Sequence, residues 1–136
     1  MKNSNAGQKT ILCVDDVPQN LELLGSLLEG RYRIKVAISG ERALQILTSA
    51  ELPDLILLDV VMPGLSGWDV CRAIKADPRL AGIPVVFLTA KADEEDVQAG
   101  LQLGAAAFIA KPVLPETLRA LVENCINGLP KDRPQA

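Results

Sequence analysis

The chain has 136 residues, of which 49% are hydrophobic and 23% are charged, and its formal net charge is −3. This length and composition are those of one globular domain with one core, and an acidic chain without a basic block is a poor direct binder of nucleic acid. The longest apolar runs have the length of strands, which excludes a membrane span, and the absence of histidine excludes Ser-His-Asp and Cys-His nucleophiles.

Five apolar runs of strand length recur along the chain, and segments of helical periodicity separate them. The runs are TILCV at 10–14, RIKVAI at 33–38, DLILLD at 54–59, PVVFLT at 84–89 and AAAFIA at 105–110. The first, third and fourth are nearly continuous in Val, Ile, Leu and Phe, which is typical of strands buried on both faces of a parallel sheet. The helical segments lie around 21–28, 43–47, 70–74, 97–103 and 118–125. This repeated βα order predicts a doubly wound α/β domain with helices on both faces of its sheet.

Composition also predicts the boundaries of the domain and its compartment. The start of the chain is rich in Asn, Ser and Gly and has no apolar segment, which predicts a flexible leader at 1–8 rather than a signal peptide. The end is rich in Pro and charge, which predicts a tail or linker at 129–136 and leaves one domain at 9–128. Three cysteines without close spacing are interpreted as buried thiols of a cytoplasmic protein.

Polar side chains follow four of the five predicted strands. Asp15 and Asp16 end the first strand, Asp59 the third, Thr89 the fourth and Lys111 the fifth. Because parallel strands of such a domain end at one edge of the sheet, we expect these side chains to share one crevice. Two ionised carboxylates about 4 Å apart repel by roughly 4 kcal/mol at an effective dielectric constant near 20, so a cation is expected to offset the repulsion.

The residue types at this edge predict chemistry on phosphate. Carboxylate oxygens with room for water suit Mg²⁺, and Asp59 at the centre of the cluster can act as a nucleophile towards phosphorus. The metal, Lys111 and the Thr89 hydroxyl would then stabilise the oxygens of the transferring group. If phosphoryl chemistry takes place at this edge, no histidine of this chain can be the donor, because the chain has none.

Four segments taken in order, ILCVDD, LILLDVVMPGLSG, VVFLTA and AFIAKP, resemble the receiver domain of two-component response regulators over residues 9–128. The resemblance implies a flavodoxin-like sheet of five parallel strands in the order 2-1-3-4-5, flanked by five helices. It also implies that the chain accepts a phosphoryl group on an aspartate from a histidine kinase or a phosphotransfer protein.

The resemblance assigns roles to individual positions at the acidic end of the sheet. Asp59 matches the phosphoryl acceptor, and Asp15 and Asp16 match the acidic pair that binds Mg²⁺ together with it. The backbone carbonyl of Val61 matches the remaining protein ligand of the metal.

Three further positions match the residues that respond to the phosphoryl group. Thr89 matches the switch hydroxyl, Lys111 the phosphate-binding lysine and Phe108 the aromatic switch residue. The Lys111–Pro112 peptide bond is similar to one that is cis in the family, which would aim the lysine into the site. Alanines at 106 and 107 stand where many members carry acidic residues, which disfavours the salt-bridged dimer of the winged-helix subfamily.

As a receiver domain, the chain is expected to signal rather than to act as an enzyme, with at most weak self-phosphorylation and self-dephosphorylation. The expected partners are the kinase or phosphotransfer protein, a downstream effector domain or protein, and a second copy in a phosphorylation-dependent dimer. A rival hypothesis is a degenerate receiver that serves as a docking module without phosphorylation.

Two unrelated classes of protein share the strand-end aspartate or the fold. A haloacid-dehalogenase-type phosphatase needs two aspartates separated by one residue after its first strand, whereas Asp15 and Asp16 are adjacent. A flavodoxin-like cofactor binder has to hold a phosphate in its first loop, where these two carboxylates would repel it.

Overall fold

A computed structural model of the chain describes residues 8–49, 51–90 and 93–127, and in them five strands alternate with five helices. The strands are β1 (Thr10–Val14), β2 (Arg33–Ala37), β3 (Leu55–Asp59), β4 (Val85–Thr89) and β5 (Ala107–Ala110). The helices are α1 (Pro18–Leu28), α2 (Gly40–Ile46), α3 (Gly67–Ala76), α4 (Glu94–Gln102) and α5 (Pro115–Asn127). The predicted tail at 129–136 and all but the last residue of the predicted leader at 1–8 lie outside the described residues.

The five strands form one parallel sheet in the order β2-β1-β3-β4-β5, which confirms the expected order 2-1-3-4-5. Strands β3 and β4 are buried at every position. This burial explains why their sequences are continuous apolar runs rather than alternating ones. The order of strands reverses between β1 and β3, so the crevice at their carboxyl ends is where such folds place a functional site.

Two apolar layers cover the sheet, one on each face. Residues of α1 and α5 pack on one face, and residues of α2 and α3 pack on the other. The doubly wound architecture that the βα order predicts is therefore confirmed. Cys13 and Cys71 are buried as expected, whereas Cys125 is only half-buried.

The fifth strand begins two residues later than the sequence predicts, because α4 ends in a glycine turn. Gly104 has a positive φ of 104°, which glycine adopts without the cost that a side chain would add. The N–H of Gly104 donates to the carbonyl of Leu101, and the N–H of Ala105 donates to the carbonyl of Gly100. This pair of bonds is a Schellman motif, so Ala105 completes the helix end and the strand starts at Ala107.

Candidate functional site

Three carboxylates meet where β1 and β3 end. Val14 pairs with Leu58 across these strands, so the next residues, Asp15 and Asp59, are neighbours. Oxygens of Asp15, Asp16 and Asp59 all lie within 4.8 Å of one another. Asp15 and Asp59 are only 2% and 7% exposed. This set of hard oxygen donors fits a divalent ion such as Mg²⁺.

Lys111 brings the opposite charge into the same crevice. Its Nζ lies 2.9 Å from Asp15 Oδ2 and 3.6 Å from Asp59 Oδ1. The backbone N–H of Lys111 donates to the carbonyl of Thr89, which fixes the lysine beside the end of β4. The Lys111–Pro112 peptide bond is cis, as the resemblance implies.

Asp15 is held by donors from the start of α1. Its Oδ1 accepts from the N–H of Val17 at 2.9 Å, and its Oδ2 accepts from Asn20 Nδ2 at 3.1 Å as well as from Lys111. Asn20 is absent from the site residues that the sequence predicts. Its one visible signal is an amide on the first turn of a helix that begins three residues after Asp15.

The environment of Asp59 disfavours its negative charge. Burial raises the pKa of Asp59 above its ordinary value of 3.8, although the Lys111 ammonium lowers that pKa. The carboxylate of Asp15 raises the pKa further, the N–H of Val60 lowers it, and Asp16 raises it again. On balance, ionisation of Asp59 destabilises the metal-free fold, because the carboxyl group of Asp59 binds its proton more tightly in the folded state than in the unfolded chain.

We expect Asp59→Asn to raise the free energy of unfolding of the metal-free protein at neutral pH. The raised pKa of Asp59 means that its ionisation costs stability at neutral pH, and that this cost disappears as the pH falls through the raised value towards 3.8. The difference in free energy of unfolding between Asp59→Asn and the wild type should therefore shrink as the pH falls. Urea unfolding of both proteins in EDTA at several pH values checks this, and an advantage that grows towards acid pH would contradict it.

The backbone of Asp59 lies directly against the start of α3. The N–H of Gly67 donates to the carbonyl of Val60 at 2.8 Å. A Cβ on Gly67 would overlap the carbonyl oxygen of Asp59 and lie 2.8 Å from the Cα of Val60. Ser66 and Asp69 form a reciprocal capping box that begins the helix at this glycine. Gly67 is thus a second site residue that the sequence reasoning missed.

The switch residues expected from the sequence lie along β4 and β5. Thr89 is 1% exposed, and the register pairs it with Ala110 and pairs Phe87 with Phe108. Because side chains alternate between the faces of a strand, Thr89, Phe87 and Phe108 lie on one face of the sheet. The side chain of Val61, the remaining predicted residue, is 61% exposed.

Phe108 belongs to a small aromatic cluster. Its ring centroid lies 5.1 Å from that of Phe87 and 6.1 Å from that of Trp68, and Trp68 lies 5.0 Å from Phe87. A Cβ on Gly100 of α4 would overlap the Phe108 ring. The ring therefore links β4, α3 and α4, and any movement of Phe108 has to change its packing against both helices.

A family model described as the response regulator receiver domain matches residues 11–123. The chain belongs to the response regulator receiver family. It is 45% identical over 122 residues to a Vibrio cholerae protein named "Probable cyclic di-GMP phosphodiesterase", covering 90% of this chain and 27% of that one. It is 42% identical over 116 residues to the DNA-binding response regulator MtrA of Mycolicibacterium smegmatis, covering 85% of this chain and 49% of MtrA.

A solved structure agrees with the assignment. The Vibrio cholerae chemotaxis protein CheY4 superposes with a TM-score of 0.82 at 28% identity, over 88% of this chain and 99% of CheY4. The receiver described here spans less than half the length of the two curated relatives above. Receiver domains are signalling modules of two-component systems. Among the described residues, no helix has the length and hydropathy that crossing a membrane requires.

Proposed function

We propose that this receiver accepts a phosphoryl group on Asp59 from a histidine kinase or a phosphotransfer protein, that it does so with Mg²⁺, and that its surface changes in response. One observation carries the proposal: the carboxylates of Asp15, Asp16 and Asp59 gather within 4.8 Å, and Lys111 lies beside two of them. A plain structural ion pair would need one carboxylate for one lysine, so the excess of negative charge indicates a site for a divalent cation.

The residues that would hold Mg²⁺ are Asp15, Asp16 and Asp59, with the backbone carbonyl of Val61. The bound ion would supply positive charge that lets an anionic phosphoryl group approach three carboxylates. The donor set supports this assignment because all its side-chain ligands are carboxylate oxygens, which magnesium prefers to nitrogen or sulfur.

Asp59 is the nucleophile of the proposed transfer. A carboxylate oxygen of Asp59 forms a bond to phosphorus while the bond between phosphorus and the donor's imidazole nitrogen breaks, and the electron pair of that bond stays on the imidazole. The product is an acyl phosphate. Lys111 would move its ammonium from Asp15 to an oxygen of the new phosphoryl group, and the Thr89 hydroxyl would donate to another.

The proposed receiver extends over 9–128. The family model covers 11–123, and α5 continues to Asn127, which supports this boundary. We also propose that the segments 1–8 and 129–136 are a leader and a tail or linker.

Intact mass spectrometry after incubation with acetyl phosphate tests the proposal. We expect the wild type to gain one phosphoryl group in the presence of Mg²⁺ and to gain none in excess EDTA, because the carboxylate cluster repels the dianion. Asp59→Asn should gain none under either condition. Glu123→Gln is the matched control, since this carboxylate is 53% exposed, pairs with Arg31 outside the carboxylate cluster and should leave the adduct intact.

The same experiment separates phosphoryl transfer from its rivals. An adduct that forms equally well in EDTA would contradict the role of the metal, and an adduct on the Asp59→Asn protein would contradict the assignment of the acceptor. A wild-type protein that gains no phosphoryl group would indicate the docking module that works without phosphorylation.

The response is proposed to pass from Thr89 to Phe108. If the Thr89 hydroxyl turns towards a phosphoryl group, it vacates space on the face of the sheet that Phe108 shares. Phe108 would then change its contact with α4, which alters the surface formed by α4, β5 and α5. An effector or a second copy of the chain would recognise that surface, and a coupling of about 1–3 kcal/mol changes affinity roughly 5–150-fold.

Phe108→Ala should separate phosphorylation from its readout. We expect nearly normal phosphorylation of Asp59 and the loss of phosphorylation-dependent dimerisation or partner binding, because the ring that contacts α4 is gone. Mass spectrometry and light scattering with acetyl phosphate measure the two properties. The control is Tyr32→Ala, which truncates an aromatic side chain at the opposite edge of the sheet and should keep both phosphorylation and the phosphorylation-dependent binding. A Phe108→Ala protein that fails to take up phosphate would overturn the assignment of Phe108 as the switch residue.

A further inference from the structure

Asp15 Oδ2 is shared between two side-chain donors of different kinds. Lys111 Nζ donates to it at 2.9 Å and Asn20 Nδ2 at 3.1 Å, while the other oxygen of Asp15 accepts from the N–H of Val17. The carboxylate is 2% exposed, so water has little access to it. If Lys111 moves away, the hydrogen bond from Asn20 keeps Oδ2 of Asp15 paired.

Lys111 is the donor that the proposed chemistry removes. Its Nζ lies 2.9 Å from Asp15 Oδ2 and 3.6 Å from Asp59 Oδ1, so a move towards a phosphoryl group on Asp59 would lengthen its bond to Asp15. Removing a donor from a buried charged acceptor is costly even when other partners of the carboxylate remain. The move of Lys111 is therefore easier when a second donor stays on Asp15.

We propose that Asn20 is a positioning residue for phosphoryl uptake, which keeps Asp15 paired and in place while Lys111 moves to the phosphoryl group. The inference rests on the proposed function, because only phosphoryl uptake draws Lys111 away. Asn20 does not touch the reacting atoms in this account. It acts through Asp15, and its contribution should appear in the loaded state rather than in the ligand-free one.

The chemistry of an amide suits this role. A second cation at position 20 would add charge against Asp15 and compete with the divalent ion for its oxygens. The neutral amide of Asn20 supplies an N–H and leaves the charge of Asp15 available to the ion. The backbone also places the amide firmly, since the N–H of Asn20 donates to the carbonyl of Val17 in the first turn of α1.

Beryllofluoride with Mg²⁺ tests the proposal without any kinase, so effects of position 20 on partner docking do not enter. We expect Asn20→Ala to bind beryllofluoride about tenfold more weakly than the wild type in isothermal titration, because the loaded state then has a buried acceptor with one donor fewer. Gln19→Ala is the matched control. It removes the neighbouring amide from the same turn of α1, where the side chain is exposed, and should bind as the wild type does.

Stability measurements separate a positioning role from a merely structural one. In EDTA, where Lys111 still pairs with Asp15, Asn20→Ala should unfold in urea near the midpoint of Gln19→Ala. Asn20→Gln keeps an amide N–H and should recover part of the lost affinity. If Asn20→Ala proves too unstable to measure, Asn20→Leu, which has a side chain of similar size without a donor, carries the same comparison.

The outcomes distinguish this inference from the function on which it rests. If the wild type binds no beryllofluoride and takes up no phosphoryl group, the proposed function is wrong. If the wild type binds and both Asn20→Ala and Asn20→Leu bind equally tightly, the role of Asn20 is wrong and the function stands. Equal losses of stability with and without beryllofluoride would likewise overturn the positioning role.

Discussion

Gly67→Ala is expected to lower the free energy of unfolding by about 3 kcal/mol and to slow the phosphorylation of Asp59. The added Cβ would overlap the carbonyl oxygen of Asp59, the last residue of β3, and crowd the Cα of Val60, the buried residue that follows it. Backbone gives way less readily than a flexible side chain, and overpacking of this kind typically costs about 1–3 kcal/mol or more. Either α3 moves away from β3 or the acceptor is displaced, and both harm the site.

Gly25→Ala is the matched control for this variant. Gly25 is also a helical glycine, but a Cβ there would meet nothing within 4 Å. Alanine at that position should stabilise the helix by about 0.5–1 kcal/mol. Urea unfolding measures both variants, and mass spectrometry with acetyl phosphate measures the rate of adduct formation. A Gly67→Ala protein as stable as the wild type would show that the contact between α3 and Asp59 relaxes without cost.

Lys111→Met should have the second large effect, and Mg²⁺ should reverse part of it. Removing the ammonium leaves Asp15 and Asp59 nearly buried with no positive partner at 2.9 Å or 3.6 Å. Breaking a buried pair in this way costs about 3–5 kcal/mol, and the pKa of Asp59 should rise further because the Lys111 charge lowers it in the wild type. A divalent ion would restore positive charge among the carboxylates and recover stability.

The control for Lys111→Met is the same substitution at Lys35, a half-buried lysine whose partner carboxylate is exposed. Lys35 lies 3.8 Å from Glu51, whose side chain is 74% exposed, and such surface pairs contribute about 1 kcal/mol or less. Urea unfolding of the wild type and both variants, with EDTA and with Mg²⁺, gives six free energies of unfolding for comparison. The prediction is wrong if Lys111→Met is as stable as Lys35→Met in EDTA, or if added Mg²⁺ leaves the loss unchanged.

The sequence predicts the parts of the fold and site that depend on pattern. Buried parallel strands have a continuous apolar signature, and their carboxyl ends share one edge, so the parallel sheet and the meeting of Asp15, Asp16, Asp59 and Lys111 could be expected. The order of the strands was implied by the family resemblance and not by the pattern. The start of β5 was predicted two residues early because a helix-ending bond to Gly100 uses Ala105, and no apolar pattern shows such a bond.

Asn20 and Gly67 could not be predicted because their importance depends on distances between elements. Asn20 matters through a 3.1 Å bond to Asp15, five residues earlier in the chain, and an asparagine in a first helical turn has many other uses. Gly67 matters because α3 approaches the backbone of Asp59 more closely than a side chain would permit. Neither distance follows from hydrophobic periodicity, which determines what faces the core and not how closely two backbones meet.

The aromatic cluster has a practical consequence. Trp68 is the only tryptophan of the chain, and its indole lies 6.1 Å from the ring of Phe108. The tryptophan fluorescence of the protein therefore comes from one indole, which packs beside the proposed switch residue. A change in the position of Phe108 alters the surroundings of that indole, so stopped-flow emission can follow the response of the domain in real time without a label.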